Sequence, residues 1–332
     1  MKKLFLYYLI IATSIISPLL AAEKHKCDLS ESYCKNTLIV GAEWLYWKAE
    51  QSQMEIASNV TSTNSGTLVN ASSIIPKFKY SNGYRLCADC LINDCWTIGT
   101  SFVHLPSQSS ASASNDPALL ATNFIPFNVN LYPIFTAFSQ SGIFLSNFDV
   151  HWSLNLYYLD TYIRRTLCFC NCITLEPYLG ARVMRMKQDI NMSGNSPNAA
   201  GGPASLTASF SEKFYGAGLL AGINACWQLG CGFSFVAKFG SSLIYSSIHN
   251  DFNIQAEQNG PLQIINKNKH HKAHPSIDSF IGIQYLRAFC KIAAEVHVGW
   301  ENHLFFHTNQ FSLTTNGNLS LQGLTLGGSL IF

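Results

Sequence analysis

Cysteine is the residue type in this chain with the most chemistry to offer, and eleven cysteines occur in 332 residues. Cys27 and Cys34 come first; Cys87, Cys90 and Cys95 follow; then come Cys168, Cys170 and Cys172, Cys226 and Cys231, and Cys290. The C-x-x-C spacing at 87–90 and the C-x-C-x-C run at 168–172 resemble metal knuckles. A structural zinc site, however, pairs two such knuckles in a reducing compartment. In an oxidising compartment disulfides are the default, and an odd number leaves at least one thiol free or bonded to another chain. A second group is "KNKHHKAH" at 267–274, where His270, His271 and His274 stand beside Lys267, Lys269 and Lys272. It reads as a metal site, a polyanion patch or a solvated loop. Local positive charge opposes a divalent cation, so the solvated loop is the reading adopted. Ser and His are plentiful, yet no G-x-S-x-G or comparable motif brings a nucleophile, a base and an acid together. An enzyme, a bound metal and a cofactor are therefore not expected.

The compartment follows from the N-terminus. Lys2 and Lys3 precede an apolar run from Leu4 to Ile16, and small residues close it at Ala21-Ala22. This is the pattern of a secretory signal peptide over 1–22. Its removal takes two of the 21 basic residues and none of the 19 acidic ones, leaving 19 of each. A nucleic-acid partner would need a basic excess, and none remains. Hydrophobic residues make up 48% and charged residues only 12%, about half the charge of an ordinary soluble domain. Beyond the signal no run of about 18 apolar residues offers a spanning helix. In lipid every backbone polar group must be paired internally, and without helices a closed β-barrel achieves that.

The elements that would position these residues are strands. Segments near 37–57, 73–87, 94–105, 147–163, 172–190, 208–226, 231–248, 274–288, 290–304 and 318–332 alternate with a period of two. At 148–158 one face carries Phe148, Val150, Trp152, Leu154, Leu156 and Tyr158. This reads as a lipid-facing band with an aromatic at each end. Gaps near 88–93, 164–171, 227–230 and 289 are short; those near 58–72, 106–146, 191–207, 249–273 and 305–317 are long and polar. Short periplasmic turns and long outer loops characterise outer-membrane barrels. The predicted fold is thus an all-β, antiparallel, up-and-down transmembrane barrel over 37–332, of about ten strands within a range of 8 to 16, preceded by a periplasmic segment at 23–36. The last strand ends on Phe332, which reads as the barrel-closing signal taken up by the barrel-assembly machinery. The destination is the outer membrane of a Gram-negative cell after Sec-dependent export.

On this topology all eleven cysteines fall at the periplasmic rim and none in a long loop. Charged strand residues should turn away from lipid, where they cost about 2–4 kcal/mol at mid-depth. By parity Glu43, Arg85, Glu176, Arg182, Lys238, Asp278, Glu295 and Glu301 face the lumen. There they either line a weakly selective pore or pair with one another and fill a narrow one.

Several stretches in order then carry a resemblance: "GAEWLYWKAEQSQMEIA" (41–57), "HWSLNLYYLD" (151–160), "ITLEPYLGARVMRMKQDI" (173–190), "FYGAGLLAGINACWQLGCGFSFVAKFGSSLIY" (214–245), "VGWENHLFF" (298–306) and "LSLQGLTLGGSLIF" (319–332). They resemble the pore-forming major outer membrane proteins of Legionella and of chlamydia-like bacteria. The resemblance implies a cysteine-containing porin, cross-linked through disulfides to itself or to Cys-rich envelope proteins, with outer-membrane lipid as its surroundings. The chain departs from the family in its many cysteines on the periplasmic side, which adds weight to a structural role. The different-class alternative is a structural or adhesive envelope protein with a plugged barrel, in which "NFIPFNVNLYPIF" (123–135) contacts a surface or folds inward.

Overall fold

The computed structural model describes residues 37–52, 54, 57–62, 68–93, 95–114, 122–125, 147–170, 172–196, 204–257, 261–289, 292–309 and 317–332, with 75–79 joining two of its strands. The expected signal peptide, the 23–36 segment and Cys27, Cys34 and Cys290 lie outside the described residues. So does most of "NFIPFNVNLYPIF".

The described chain is built of β1 (Leu38–Gln51), β2 (Ala57–Ser62), β3 (Leu68–Ile74), β4 (Tyr80–Asn93), β5 (Trp96–Ser114), β6 (Thr122–Ile125), β7 (Asn147–Arg165), β8 (Leu167–Cys170), β9 (Ile173–Ser196), β10 (Ala204–Gly230), β11 (Phe233–Glu257), β12 (Pro261–Phe289), β13 (Ile292–Asn309) and β14 (Gly317–Ile331). Ten of these close into an antiparallel barrel in the order β10-β11-β12-β13-β14-β1-β4-β5-β7-β9, and β9 pairs back onto β10. The seam between the ends of the chain is complete, running from Ile39↔Ile331 to Gln51↔Leu319. β8 adds to the edge of β9, while β2, β3 and β6 form a separate three-stranded sheet.

Three departures from the sequence expectation have physical reasons. The polar stretches at 191–207 and 249–273 are mostly strand, not loop. β9, β10, β11 and β12 continue in register through Ser205↔Glu257 and Glu257↔Pro261. Polarity there reflects water outside the wall, and ladder pairing holds the backbone just as well above the membrane as within it. "KNKHHKAH" is accordingly part of β12. The second departure is β7. Its apolar face is buried inside the barrel, Trp152 and Leu156 completely, while Asp149 and His151 are exposed outside. The outer part of β7 faces water, so its apolar side turns inward as in a soluble sheet. Nearer the periplasm Leu159 and Ile163 take the outward positions. The third is the first short connection, which comes only after Asn93, where β4 ends. Cys87 and Cys90 consequently lie within β4 rather than beside the turn.

Outside, a belt of exposed apolar residues includes Leu86, Val183, Leu219, Leu243, Ile281, Val298 and Leu326. Aromatic side chains mark both edges: Trp96, Trp227, Phe233, Phe289 and Phe332 at the short-turn end, and Tyr46, Tyr80, Tyr215 and Tyr245 at the other. Two such girdles are the signature of a wall in lipid, where amphipathic rings sit at the interfaces. The turn Gly230-Cys231-Gly232 has φ values of 102°, 53° and 85°. The two glycines adopt them without Cβ strain.

Candidate functional site

The lumen has two storeys. The outer one is an apolar core: Leu45, Trp47, Leu105, Phe148, Trp152, Leu156, Met184, Met186, Phe214, Phe305 and Leu321 interdigitate and are buried to within 2% of full enclosure. Its two fully buried indoles are matched. Trp47 Nε1 donates to Thr325 Oγ1 at 3.0 Å, and Trp152 Nε1 donates to Gln188 Oε1 at 3.1 Å.

The inner storey is ionic, and strand register builds it. Glu43 stands opposite Arg85, Asp160 opposite Arg182, and Asp278 opposite His303. Arg85 donates to Glu43 at 2.5 Å and, through both terminal nitrogens, to Glu301 at 3.1 and 2.6 Å. Arg182 grips Asp160 in a fork of 2.7 and 2.8 Å and reaches Asp278 at 2.8 Å. His303 joins the halves, with Nδ1 2.7 Å from Asp278 and Nε2 2.9 Å from Glu301. Two acceptor-only carboxylates on one ring suit an imidazolium with both N–H groups donating. The network continues through His297, 3.3 Å from Glu43 and 3.4 Å from Glu295. Nearer the periplasmic mouth, Asp89 takes bonds from Tyr162 at 2.9 Å and Arg164 at 2.7 Å. Arg164 also faces Glu176 at 3.5 Å.

All eight candidate pore residues therefore lie on the inward face. Glu43, Arg85, Arg182, Asp278 and Glu301 share one network, Glu295 borders it, and Glu176 belongs to the mouth cluster. Lys238 Nζ rests over the Phe280 ring at 5.1 Å. Sequence reasoning misses Asp89, Asp160, Arg164, His297 and His303. Parity within strands would find His303 from Glu301, two residues away. Asp160 is hidden because it shares the face of β7 that alternation assigns to lipid. Between the arginines remains a cavity of about 140 Å³ bordered by Tyr158, Tyr178 and Lys238, well below the ~300–1,000 Å³ of a ligand pocket.

The cysteines separate by face. Cys87 and Cys226 share inward parity with Glu43 and Leu220 and are half-buried, whereas Cys90, Cys95 and Cys231 are exposed thiols near the short turns. Cys168 lies in β8, and Cys172, just before β9, is exposed. The expectation that every cysteine sits at the rim is thus corrected for Cys87, whose place in β4 turns it into the lumen.

Residues 33–332 match the model of the family described as Legionella pneumophila major outer membrane protein precursor. The chain belongs to this family. As a Legionella major outer membrane protein family member it is an outer-membrane β-barrel. No curated protein matches it significantly. Solved structures similar to it include the outer membrane protease OmpT from Escherichia coli, at 11% identity and TM-score 0.43 over 91% of this chain and 99% of that one. Ail, the attachment invasion locus protein of Yersinia pestis, is 8% identical with TM-score 0.27 over 90% and 99%. The Pseudomonas putida toluene transporter TodX is 8% identical with TM-score 0.24 over 92% and 91%.

Proposed function

We propose that this family member is a narrow, weakly selective outer-membrane channel for small hydrophilic solutes and ions. The observation that carries the proposal is the ionic inner storey. Arg85, Arg182 and His303 interleave with Glu43, Asp160, Asp278 and Glu301 around a small cavity at the membrane level. Both signs are present in near balance, so neither anions nor cations are strongly favoured. A ten-strand wall is only slightly wider than the eight-strand barrels that side chains fill, so the conducting path is small and its opening depends on side-chain rearrangement. Planar-bilayer recording of purified protein should give discrete events well below those of wide porins, with reversal potentials near zero in a salt gradient. Folded protein that never conducts would defeat the channel reading. It would favour the second reading, a structural barrel, which rests on the apolar outer storey. We propose no catalytic role: His303 has both nitrogens committed to carboxylates and keeps none for general-base work.

We further propose that the exposed thiols Cys90, Cys95 and Cys231 cross-link the barrel to copies of itself or to other cysteine-rich envelope proteins. Support comes from their position at the short-turn end and from the oxidising periplasm. Non-reducing electrophoresis of native envelopes should show oligomers that collapse to monomer with a thiol reductant. The C90S/C95S/C231S variant should lose most of that ladder, and the single C87S variant should keep it. A monomeric non-reduced band in wild-type envelopes would end the idea.

A further inference from the structure

On the outside of β9–β12 the register assembles a basic row that the lumen chemistry does not use. Lys187, Lys213, His249 and Lys269 are cross-strand partners in one continuous line. Lys187 shares its face with exposed Arg185, opposite buried Met186 and Gln188, so the line points out of the barrel. One row below runs Arg185-Tyr215-Ser247-His271. Arg185 lies over Tyr215 at 5.5 Å, and Tyr245 stacks on His271 at 6.1 Å.

The height of these rows matters. On β11 the outward positions Phe233, Phe235, Phe239 and Leu243 are apolar and exposed, with the small residues Ala237 and Ser241 between them; from 233 to 243, at about 3.4 Å per residue and a tilt of about 40°, the band spans roughly 26 Å, the depth of a lipid-facing band. Tyr245 then marks the interface and His249 stands above it. The basic row therefore lies at the level of outer-leaflet headgroups, directly over Leu219, Leu243 and Ile277, where acyl chains rest.

The row is not purely basic. Lys187 Nζ is 2.8 Å from Asp189, and Lys213 Nζ is 3.7 Å from Asp251. Both lysines remain over two-fifths exposed in these pairs, and exposed pairs of this kind hold little energy. A phosphate, with more acceptor oxygens and charge than a carboxylate, can displace them. Nδ1 of His249 has no hydrogen-bond partner among the described residues.

We propose that the β9–β12 wall carries a binding site for a phosphorylated lipid of the outer leaflet. Lys187, Lys213 and Lys269 hold the phosphates, Arg185 and His271 flank them, and the apolar belt beneath receives the acyl chains. A free phosphate would have the cations but not the belt, and continuity between the two favours the lipid.

The test uses the full-length folded protein, stripped of lipid in a neutral detergent, with diphosphorylated lipid A as probe and native mass spectrometry as readout. Wild-type protein should retain lipid A, while lipid A lacking both phosphates should bind at least tenfold more weakly. Millimolar inorganic phosphate should not displace the lipid. The K187Q/K213Q/K269Q variant should bind lipid A at least tenfold more weakly, and R287Q, at the periplasmic end, should match wild type. Heat-modifiable gel migration checks folding, and the wild-type comparison of the two lipids stands even if the triple variant fails to fold. Equal binding of phosphorylated and dephosphorylated lipid overturns the proposal. So do full displacement by inorganic phosphate and a folded triple variant that binds like wild type.

Discussion

Arg182→Met is expected to cost the folded barrel about 3–5 kcal/mol, the range for removing one partner of a buried charge pair. Arg182 is 3% exposed. It is the only cation beside Asp160 among the described ion pairs, and it shares Asp278 with His303. Methionine keeps much of the volume and none of the five N–H donors. Asp160 is then left without a cation, and Asp278 keeps only the His303 imidazolium, which it shares with Glu301. The guanidinium also lies over the Tyr158 ring at 4.8 Å, and methionine has no charge to keep that cation–π attraction. Reversible denaturant unfolding in lipid vesicles, followed by gel mobility and tryptophan fluorescence, measures the change in stability. The D160N/R182M double variant should recover part of it, since the interaction energy of such a pair is read from the cycle and not from either single change. A loss under about 1 kcal/mol would mean that water in the cavity solvates these carboxylates, so that the inner storey is wet and open.

How much of this is legible from the chain alone depends on what surrounds each strand. β14 is readable because both its surroundings are simple: lipid outside for Leu326 and Leu330, and close backbone inside at Gly323, where a Cβ would meet the Tyr46 carbonyl oxygen at 2.1 Å. The charged residues are readable by the cost of burying charge in lipid, which assigns a face without reference to neighbours. Their pairing is not, because it depends on register. Glu43 meets Arg85 only because β1 and β4 align at that position, 42 residues apart. β7 misleads for a different reason. Alternation names two faces but not which medium each one meets, and a barrel taller than the membrane changes medium along one strand. The same property hides the basic row. Lys267, Lys269 and His271 look like loop because a polar strand above the membrane lacks the alternating signature on which strand prediction rests.

The second large effect concerns the apolar storey. Trp47 forms the boundary between the two levels: its ring lies 4.8 Å from His303 and under the Arg85 guanidinium at 5.5 Å, and its indole N–H is held by Thr325. Trp152 anchors the level above, edge-on to Phe78 at 5.1 Å. If this packing closes the conduit, cutting both rings back should open it. The W47A/W152A variant is expected to raise single-channel conductance roughly threefold or more over wild type, because flow through a narrow lumen is set by its tightest segment. Each truncation also removes about 3–5 kcal/mol of packing, so the recording must be made on protein whose gel mobility shows a folded barrel. W47F and W152F supply the milder pair, keeping an aromatic ring while releasing the Thr325 and Gln188 bonds, and should fall between. A folded W47A/W152A barrel with wild-type conductance would place the conduit elsewhere, and one as silent as a silent wild type would make the barrel structural. A silent wild type with a conducting variant would instead identify the apolar storey as a closed gate above a ready-made ionic path.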